Sequence, residues 1–145
     1  MEQAIEILLY GNKFRRLYEK LILKVMGEYG LKKIDVEILY FLYCSGNHNT
    51  SKDIMNLDMF TKGHISQSVD RMEKLELIKS VQDGNDRRCT HLVLTDNADA
   101  IIERILVLRK SIKEVVFKDV TDEEKEFLLM LSKKIENNID NRSEE

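Results

Sequence analysis

Apolar residues recur at spacings of three and four along the start of the chain, which predicts one amphipathic helix over 2–29. Gly30 follows as a helix stop, because glycine readily adopts the left-handed backbone conformation that closes a helix. The apolar positions of this helix are Ile5, Leu8, Leu9, Phe14, Leu17, Leu21, Ile22 and Val25.

The next segments predict shorter helices. Residues 34–44 are apolar almost throughout, which indicates a helix buried on most sides or, as the alternative for so short a run, a strand. A T-x-x-D capping pattern opens a short helix over 50–57, and a turn at 58–61 leads to a further helix over 61–75 that Thr61 caps. Two helices joined by so short a turn predict a helix-turn-helix.

The helix over 61–75 divides into an apolar and a polar side. The predicted inward residues are Ile65, Val69, Met72 and Leu75. The opposite side and its flanks carry Gly63, Gln67, Asp70 and Lys74, with His64, Ser66 and Arg71 beside them.

After this helix the pattern predicts a β-hairpin and two long helices. Strands at 78–82 and 91–94 flank a D-G-N turn, in which glycine supplies freedom at positive φ. Thr95 opens a helix to about residue 118, a T-x-x-E capping box at 121–124 opens the last helix, and the polar tail from 137 is expected to fray.

The apolar stripes of the first and last helices exceed what a small helix-turn-helix core needs, which predicts a homodimer.

Composition narrows the function classes. Apolar residues make up 43% and charged residues 34%, as in a globular protein, and a net charge of −3 excludes a non-specific polycation while allowing a local basic patch. No apolar run approaches the roughly 18 residues of a membrane span, and the N-terminus lacks the pattern of a secretory signal. We therefore expect a cytoplasmic protein without a membrane partner.

The cysteines and histidines predict neither a metal nor a cofactor. Cys44 is expected to pack inside a buried helix, whereas the cations beside Cys89 favour a thiolate, which leaves a redox-sensing regulator as an alternative. The three histidines, His48, His64 and His91, lack metal-ligand spacing. With no glycine-rich phosphate loop and no nucleophile constellation, the chain is predicted not to be an enzyme.

Binding to double-stranded DNA is the leading hypothesis from the polar residues. No carboxylate occurs from 61 to 69, so Thr61 and Lys62 can bind phosphate. His64, Ser66 and Gln67 can bind base edges, glutamine being suited to adenine. Arg71 flanks them, and an ordinary solvated polar face is the alternative for this helix.

Two adjacent arginines, Arg87 and Arg88, lie in the hairpin turn and follow Asp83 and Asp86 along the chain. The narrow minor groove of AT-rich DNA attracts such arginines. Surface charges paired with the aspartates are the alternative for the turn, and a winged-helix module that binds protein is the alternative for the whole domain.

The motifs VDRMEKLELI, DGNDRRCTHLVLT and TDEEKEFLLML, with the order of the elements, resemble the MarR family of bacterial transcriptional regulators over nearly the whole chain. The resemblance implies a mainly α-helical fold with a small β-hairpin wing. It implies a winged helix-turn-helix DNA-binding domain at 31–94 and a helical dimerisation region formed by 1–30 and 95–145. The implied function is a ligand-responsive repressor that binds a palindromic operator as a homodimer.

The resemblance also implies roles for individual residues. Arg88 would enter the minor groove with Asp86 holding its guanidinium, and residues 61–71 would lie in the major groove. A small aromatic or phenolic effector would bind a cleft to which Phe14, Tyr18, Tyr40 and Tyr43 contribute.

The chain departs from the family pattern at several positions. Glu76 replaces the usual glycine after the recognition helix, Gln67 stands where a cation is common, and Gly63 is unusual. Thiol-sensing relatives carry a cysteine early in the first helix, and this chain has none there.

Overall fold

The computed structural model describes residues 2–143, and its elements confirm a mainly α-helical fold with one β-hairpin. The elements in chain order are α1 (Glu2–Tyr10), α2 (Lys13–Tyr29), α3 (Lys33–Ser45), α4 (Ser51–Met55), α5 (Lys62–Lys74), β1 (Ile78–Gln82), β2 (Thr90–Leu94), a 3₁₀ turn (Asp96–Ala98), α6 (Asp99–Val116) and α7 (Asp122–Ser143). Within the described residues, no helix combines the length and apolarity needed to cross a membrane.

The single helix predicted over 2–29 is wrong, because the chain forms α1 and α2 with a break at Gly11 and Asn12. Glycine is costly inside a helix, and asparagine competes for backbone hydrogen bonds, so the two together end α1 although the apolar spacing continues. The two parts are also buried differently: Ile22 and Val25 of α2 lie in the core, whereas Ile5 and Leu8 of α1 are exposed. The side chain of Leu9 lies outside the described part of the chain.

The structure confirms the predicted stop of α2 and decides between helix and strand for the segment that follows. Gly30 has a φ of 64°, and the Leu31 N–H donates to the carbonyl of Met26 at 3.0 Å. The segment after it is the helix α3, whose Ile38 and Leu39 are completely buried.

The helix-turn-helix consists of α4, a turn and α5, with a shorter first helix than predicted. Thr50 and Asp53 form the expected reciprocal cap, but α4 ends at Met55, and Asp58 takes a φ of 53° in the turn that follows. Thr61 caps α5 as predicted, its hydroxyl accepting the His64 backbone N–H at 3.3 Å.

The connection from α5 to β1 passes through Glu76, the residue that replaces the family's glycine. Glu76 has a φ of 57°, a conformation that costs an L-residue free energy. Its carbonyl accepts hydrogen bonds from the Thr95 hydroxyl and the Asn97 amide, which hold the turn from the opposite side of the hairpin. Leu75, predicted to face inward, is 46% exposed just before this turn, and Ser68 is buried instead.

The hairpin pairs Ile78 with Leu94 and Gln82 with Thr90 in antiparallel register. β2 therefore begins one residue before the predicted start at His91. The turn does not use the conformational freedom predicted for Gly84, whose φ is not positive.

The chain forms two compact units, and each has its own organisation. The unit up to Lys110 has a core built mainly from α2, α3, the hairpin and α6. The unit from Ser111 contains α7, which begins at the predicted capping box and continues to Ser143 instead of fraying from 137. The functional division into 1–30 with 95–145 and 31–94 stays a prediction.

Candidate nucleic-acid interface

The polar side of α5 is open to solvent. Lys62, His64, Ser66 and Gln67 are exposed, while Ile65, Ser68 and Met72 point into the core. The hydroxyl of Thr61 is occupied by its capping bond, although the residue itself is exposed. The first half of this face therefore presents one cation and several neutral hydrogen-bonding groups without a carboxylate, and groups of these types can contact phosphate and base edges.

The buried side of α5 is fixed to α3 by an ion pair. Arg71 Nε and Nη2 donate to the two carboxylate oxygens of Asp35 at 2.9 and 2.6 Å. The hydroxyl of Ser68 donates to the same carboxylate, and so does the Lys32 backbone N–H at 2.8 Å. Asp35 is fully buried, so these bonds replace the water that an ionised carboxylate would otherwise need.

The ionised form of Asp35 is the stable one in the fold. Burial alone raises the pKa of Asp35, but the hydrogen bonds from Arg71, Ser68 and the Lys32 backbone outweigh burial and hold the pKa below its usual value.

Arg71, predicted to contact DNA, thus has its guanidinium bound to Asp35. The sequence analysis missed this partner, which lies 36 residues away. The available signal was Asp35 within the mainly apolar segment 34–44, since a carboxylate that becomes buried there must find a partner.

The wing is the hairpin turn from Asp83 to Cys89, and short-range hydrogen bonds hold it. Asp83 Oδ1 accepts the backbone N–H groups of Asn85 and Asp86 at 2.8 and 3.0 Å. The Asp83 N–H donates to the Cys89 carbonyl at 2.9 Å, which closes the turn at its base. Aspartate side chains, rather than a glycine at positive φ, therefore shape the wing.

Both wing arginines are exposed. Asp86 Oδ1 accepts the backbone N–H of Arg88 at 2.9 Å, and the Gln82 amide donates to the Arg87 carbonyl at 2.9 Å. The expectation that Asp86 holds the guanidinium of Arg88 is therefore corrected: the carboxylate holds the backbone, because the turn brings the N–H of Arg88 to it. Among the described residues, no carboxylate pairs with either guanidinium.

Comparison with known proteins bears on this helix and wing. Residues 31–98 match the family described as winged helix DNA-binding domain. The HTH-type transcriptional regulator PrsX of Escherichia coli is 24% identical over 123 residues, which cover 84% of this chain and 74% of PrsX.

Solved structures share the fold over most of the chain. Transcriptional regulator PA3341 is similar with a TM-score of 0.80 and 21% identity, over 92% of this chain and 97% of that one. A Listeria monocytogenes protein described as a MarR-family regulator, crystallised with a 26mer DNA, has a TM-score of 0.74 at 18% identity, over 98% and 90% of the two chains.

This chain is a winged helix-turn-helix transcriptional regulator with the fold of the MarR family. The predicted resemblance is thereby confirmed. The relatives of the regulator are themselves transcriptional regulators rather than enzymes, as expected.

Behind α4, the regulator has a cavity of about 250 Å³ with mainly apolar walls. Its polar groups are Glu37, Tyr40 and Arg109, and the Arg109 guanidinium lies 3.6 Å from the centre of the Tyr40 ring, a cation–π contact. The remaining lining residues are Ile38, Phe41, Ile54, Leu57, Met59 and Phe60.

The four aromatic residues predicted for an effector cleft do not come together in this cavity. Tyr40 lines it, and Tyr18 lies beside it, where its hydroxyl donates to Glu37. Burial, followed by this hydrogen bond, raises the pKa of Tyr18 well above its usual value. Phe14 and Tyr43 are 55% and 51% exposed and do not line the cavity.

Cys44 is exposed at the end of α3, so the expectation that it packs in the core is wrong. The other cysteine of the regulator belongs to a group that sequence analysis missed: donor atoms of Asp83, Cys89 and His91 lie within 4.8 Å of one another. The available signal was the spacing of two residues between Cys89 and His91 at the start of a predicted strand, since extended backbone directs such residues to one face of the hairpin.

Proposed function

We propose that this regulator is a homodimer that binds a palindromic operator sequence and represses transcription. The observation that carries the proposal is the open, carboxylate-free first half of α5 in the same compact unit as a wing with two exposed arginines. A bacterial protein with this role would act in the cytoplasm, where the DNA is.

In this proposal α5 reads bases in the major groove. Gln67, Ser66 and His64 bind base edges, while Lys62 and the N-terminal backbone of α5 bind phosphate. Arg71 contributes indirectly, because its guanidinium is bound to Asp35 and fixes the angle of α5 on α3.

The wing contacts the neighbouring minor groove through Arg88, with Arg87 beside it. An exposed guanidinium without a carboxylate partner is attracted to the negative potential of a narrow groove. The bond from Asp86 to the Arg88 backbone limits the conformations of the wing before DNA arrives, which lowers the entropic cost of binding.

Exposed apolar side chains support the dimer and the division into functional regions. In α7 a continuous run of large apolar residues is 42–60% exposed, and soluble monomeric proteins rarely expose contiguous apolar patches of this kind. A second copy would cover such a surface and bring two α5 helices about 34 Å apart, one turn of B-DNA. The exposed apolar residues are Phe127, Leu128, Leu129, Met130 and Leu131 in α7, and Ile5, Leu8, Phe14 and Leu23 in α1 and α2.

The cavity behind α4 suits a small aromatic or phenolic effector. Its volume of about 250 Å³ lies just below the range of drug-sized ligand pockets, so it would take a compact ring. Arg109 can bind an acidic or phenolic oxygen. The ligand would also contact the helix-turn-helix, because Ile54 of α4 and Leu57 of the turn after it line the cavity. Binding there would shift α4 and weaken the operator complex.

Selection of bound DNA from a random pool tests this function. We expect recovery of a two-fold symmetric sequence with half-sites centred about one helical turn apart. A pool that stays random after repeated selection at moderate salt would contradict sequence-specific binding and favour the alternative of a protein-interaction module.

A further inference from the structure

The wing contains a group of three metal-ligand side chains at its base. The carboxylate of Asp83, the thiol of Cys89 and the imidazole of His91 each offer one donor atom, and these atoms lie within 4.8 Å of one another. All three residues are half-buried, so a metal ion could reach them from solvent and would still be partly shielded.

The hairpin register produces this arrangement. Val81 pairs with His91 and Gln82 with Thr90, which leaves Asp83 opposite Cys89 just beyond the strands. Their backbones are joined by the hydrogen bond that closes the turn. Directly opposite residues on one face of a hairpin have Cβ atoms about 5 Å apart, and a residue two positions along the strand shares that face.

The histidine is held in the orientation that a ligand needs. Its Nδ1 lies in hydrogen-bond contact with the Asn49 side-chain oxygen, and its Nε2 lies 2.7 Å from Asp83 Oδ2. When Nδ1 donates to the Asn49 oxygen, Nε2 is the nitrogen left to face Asp83, and a metal ion would replace the proton that Nε2 shares with that carboxylate. A metal-bound histidine usually has this arrangement, with its other ring nitrogen donating to a fixed oxygen. The Asn49 backbone carbonyl accepts the Leu92 N–H at 2.9 Å, so the orienting residue is itself fixed to β2.

We propose that Asp83, Cys89 and His91 form a site for a divalent transition metal of the zinc type, with water in the fourth position. Sulfur, imidazole nitrogen and carboxylate oxygen are the three ligand types of Zn²⁺. Tetrahedral ligand atoms around Zn²⁺ lie roughly 3.3–3.8 Å apart, so small side-chain rotations complete the site. The metal takes the place of the proton on the Cys89 sulfur and of any proton on Nε2.

The position of the site gives it a consequence for the wing. Asp83 and Cys89 bracket the segment that carries Arg87 and Arg88, and one metal ion bound to both would join the two ends of that segment through their side chains. Such a cross-link restricts the turn, and the positive charge of the metal ion offsets the negative charge of Asp83. This step rests on the proposed DNA-binding function, and it predicts tighter operator binding in the presence of the metal.

Titration with Co²⁺, the spectroscopic substitute for Zn²⁺, tests the site in the absence of DNA. We expect the visible bands of tetrahedral Co²⁺ and a sulfur-to-cobalt charge-transfer band, both removed by added Zn²⁺. Cys44→Ser is the matched control, because it removes the other, exposed thiol. Cys44→Ser should keep the bands, and Cys89→Ser should lose the charge-transfer band.

Asp83→Asn is a milder variant, since an asparagine oxygen can still accept the backbone N–H groups of Asn85 and Asp86. It should weaken Zn²⁺ binding in a chelator competition while the circular dichroism spectrum stays that of the unmodified chain. Absence of tetrahedral Co²⁺ bands in the folded full-length protein would overturn the site. Retention of the charge-transfer band in Cys89→Ser, with loss in Cys44→Ser, would also overturn it.

Operator binding with Zn²⁺ and with a chelator then tests the coupling. We expect several-fold tighter binding with Zn²⁺ for the unmodified chain and for Cys44→Ser, and no difference for Cys89→Ser. Equal binding under both conditions, with the Co²⁺ spectrum intact, would overturn the coupling and leave the site standing. An intact spectrum in a protein that selects no DNA sequence would contradict the proposed function instead.

Discussion

The recognition helix and the wing each carry an arginine that sequence analysis assigned to DNA, and the fold uses the two arginines in opposite ways. Arg71 of α5 donates two hydrogen bonds to a carboxylate that is fully buried. Arg88 of the wing is exposed, and only its backbone is held, by Asp86. One arginine therefore stabilises the domain that presents the DNA-binding surface, and the other is left free for a ligand.

The difference teaches that positive charge by itself does not identify a DNA contact. Arg71 and Arg88 differ in the partner within reach. Asp35 is buried and ionised, so its charge must be compensated, and the guanidinium of Arg71 compensates it. In the wing both aspartates that could pair with arginine are occupied, because their oxygens accept backbone N–H groups of the turn.

The largest effect should come from breaking the buried pair. Arg71→Ala leaves Asp35 charged and buried, so we expect the free energy of unfolding to fall by about 3–5 kcal/mol. Denaturant unfolding followed by circular dichroism measures it. The double variant with Asp35→Ala should recover part of the loss, since it removes the unpaired charge; a double variant less stable by the sum of both single losses would contradict the pair.

The same pair predicts an acid-sensitive part of the stability. Because the pKa of Asp35 is lower in the fold than in the unfolded chain, its contribution is complete above the ordinary carboxyl range and is lost as the pH falls through the folded pKa. Unfolding measured from neutral pH to pH 3 should therefore show a steeper decline in the unmodified chain than in Asp35→Asn, which keeps only the decline due to the other carboxylates. An identical pH dependence in both proteins would contradict this assignment.

The next effect should be on binding without a change in stability. Arg88→Ala should weaken operator binding by about 1–3 kcal/mol, which is roughly tenfold or more, since it removes the minor-groove cation. Its free energy of unfolding should stay within about 0.5 kcal/mol of the unmodified chain, as for other exposed residues. Fluorescence anisotropy with the selected operator measures the affinity, and equal affinity of the two proteins would refute the wing contact.

A smaller effect should separate two properties of Asp86: its hydrogen bond to the Arg88 backbone N–H, which braces the wing, and its negative charge. Asp86→Asn keeps an oxygen for the Arg88 backbone N–H but removes the negative charge, whereas Asp86→Ala removes both. We expect the alanine variant to bind the operator more weakly than the asparagine variant, by about 0.5–1.5 kcal/mol, the usual net contribution of one hydrogen bond. Equal affinities would show that the brace has no part in binding.

The smallest effect concerns the turn that joins α5 to the wing. Glu76→Gly should raise the free energy of unfolding by about 0.5 kcal/mol, because glycine adopts the φ of 57° without strain. The same exchange at Glu103, an exposed residue inside α6, should lower it by a similar amount. Thermal unfolding of both variants checks the sign, and destabilisation by both would mean that the turn is not strained.

The element types and most helix caps could be predicted because they depend on neighbouring residues. The caps at Thr50, Thr61 and Thr121 and the stop at Gly30 each involve groups within about one helical turn. The break at Gly11 and Asn12 could not be read from the apolar spacing, because the spacing of three and four continues across it.

The functional contacts of single residues could not be predicted, because they depend on partners that are distant in sequence. Asp35 reaches Arg71 only after α3 and α5 have packed, and His91 meets Asn49 across 42 residues. The wing was recognised from its motif, but the atoms that Asp86 holds depend on the backbone path of the turn.

The most direct test of the separate roles of helix and wing is an exchange of base pairs in the selected operator. An inosine–cytosine pair resembles A·T in the minor groove and G·C in the major groove, so it reports which groove is read. At A·T positions whose preference disappears in Arg88→Ala, we predict that inosine–cytosine is tolerated and G·C is not. At positions whose preference disappears in Gln67→Ala, neither exchange should be tolerated. Loss of affinity with inosine–cytosine at the positions that depend on Arg88 would contradict the account.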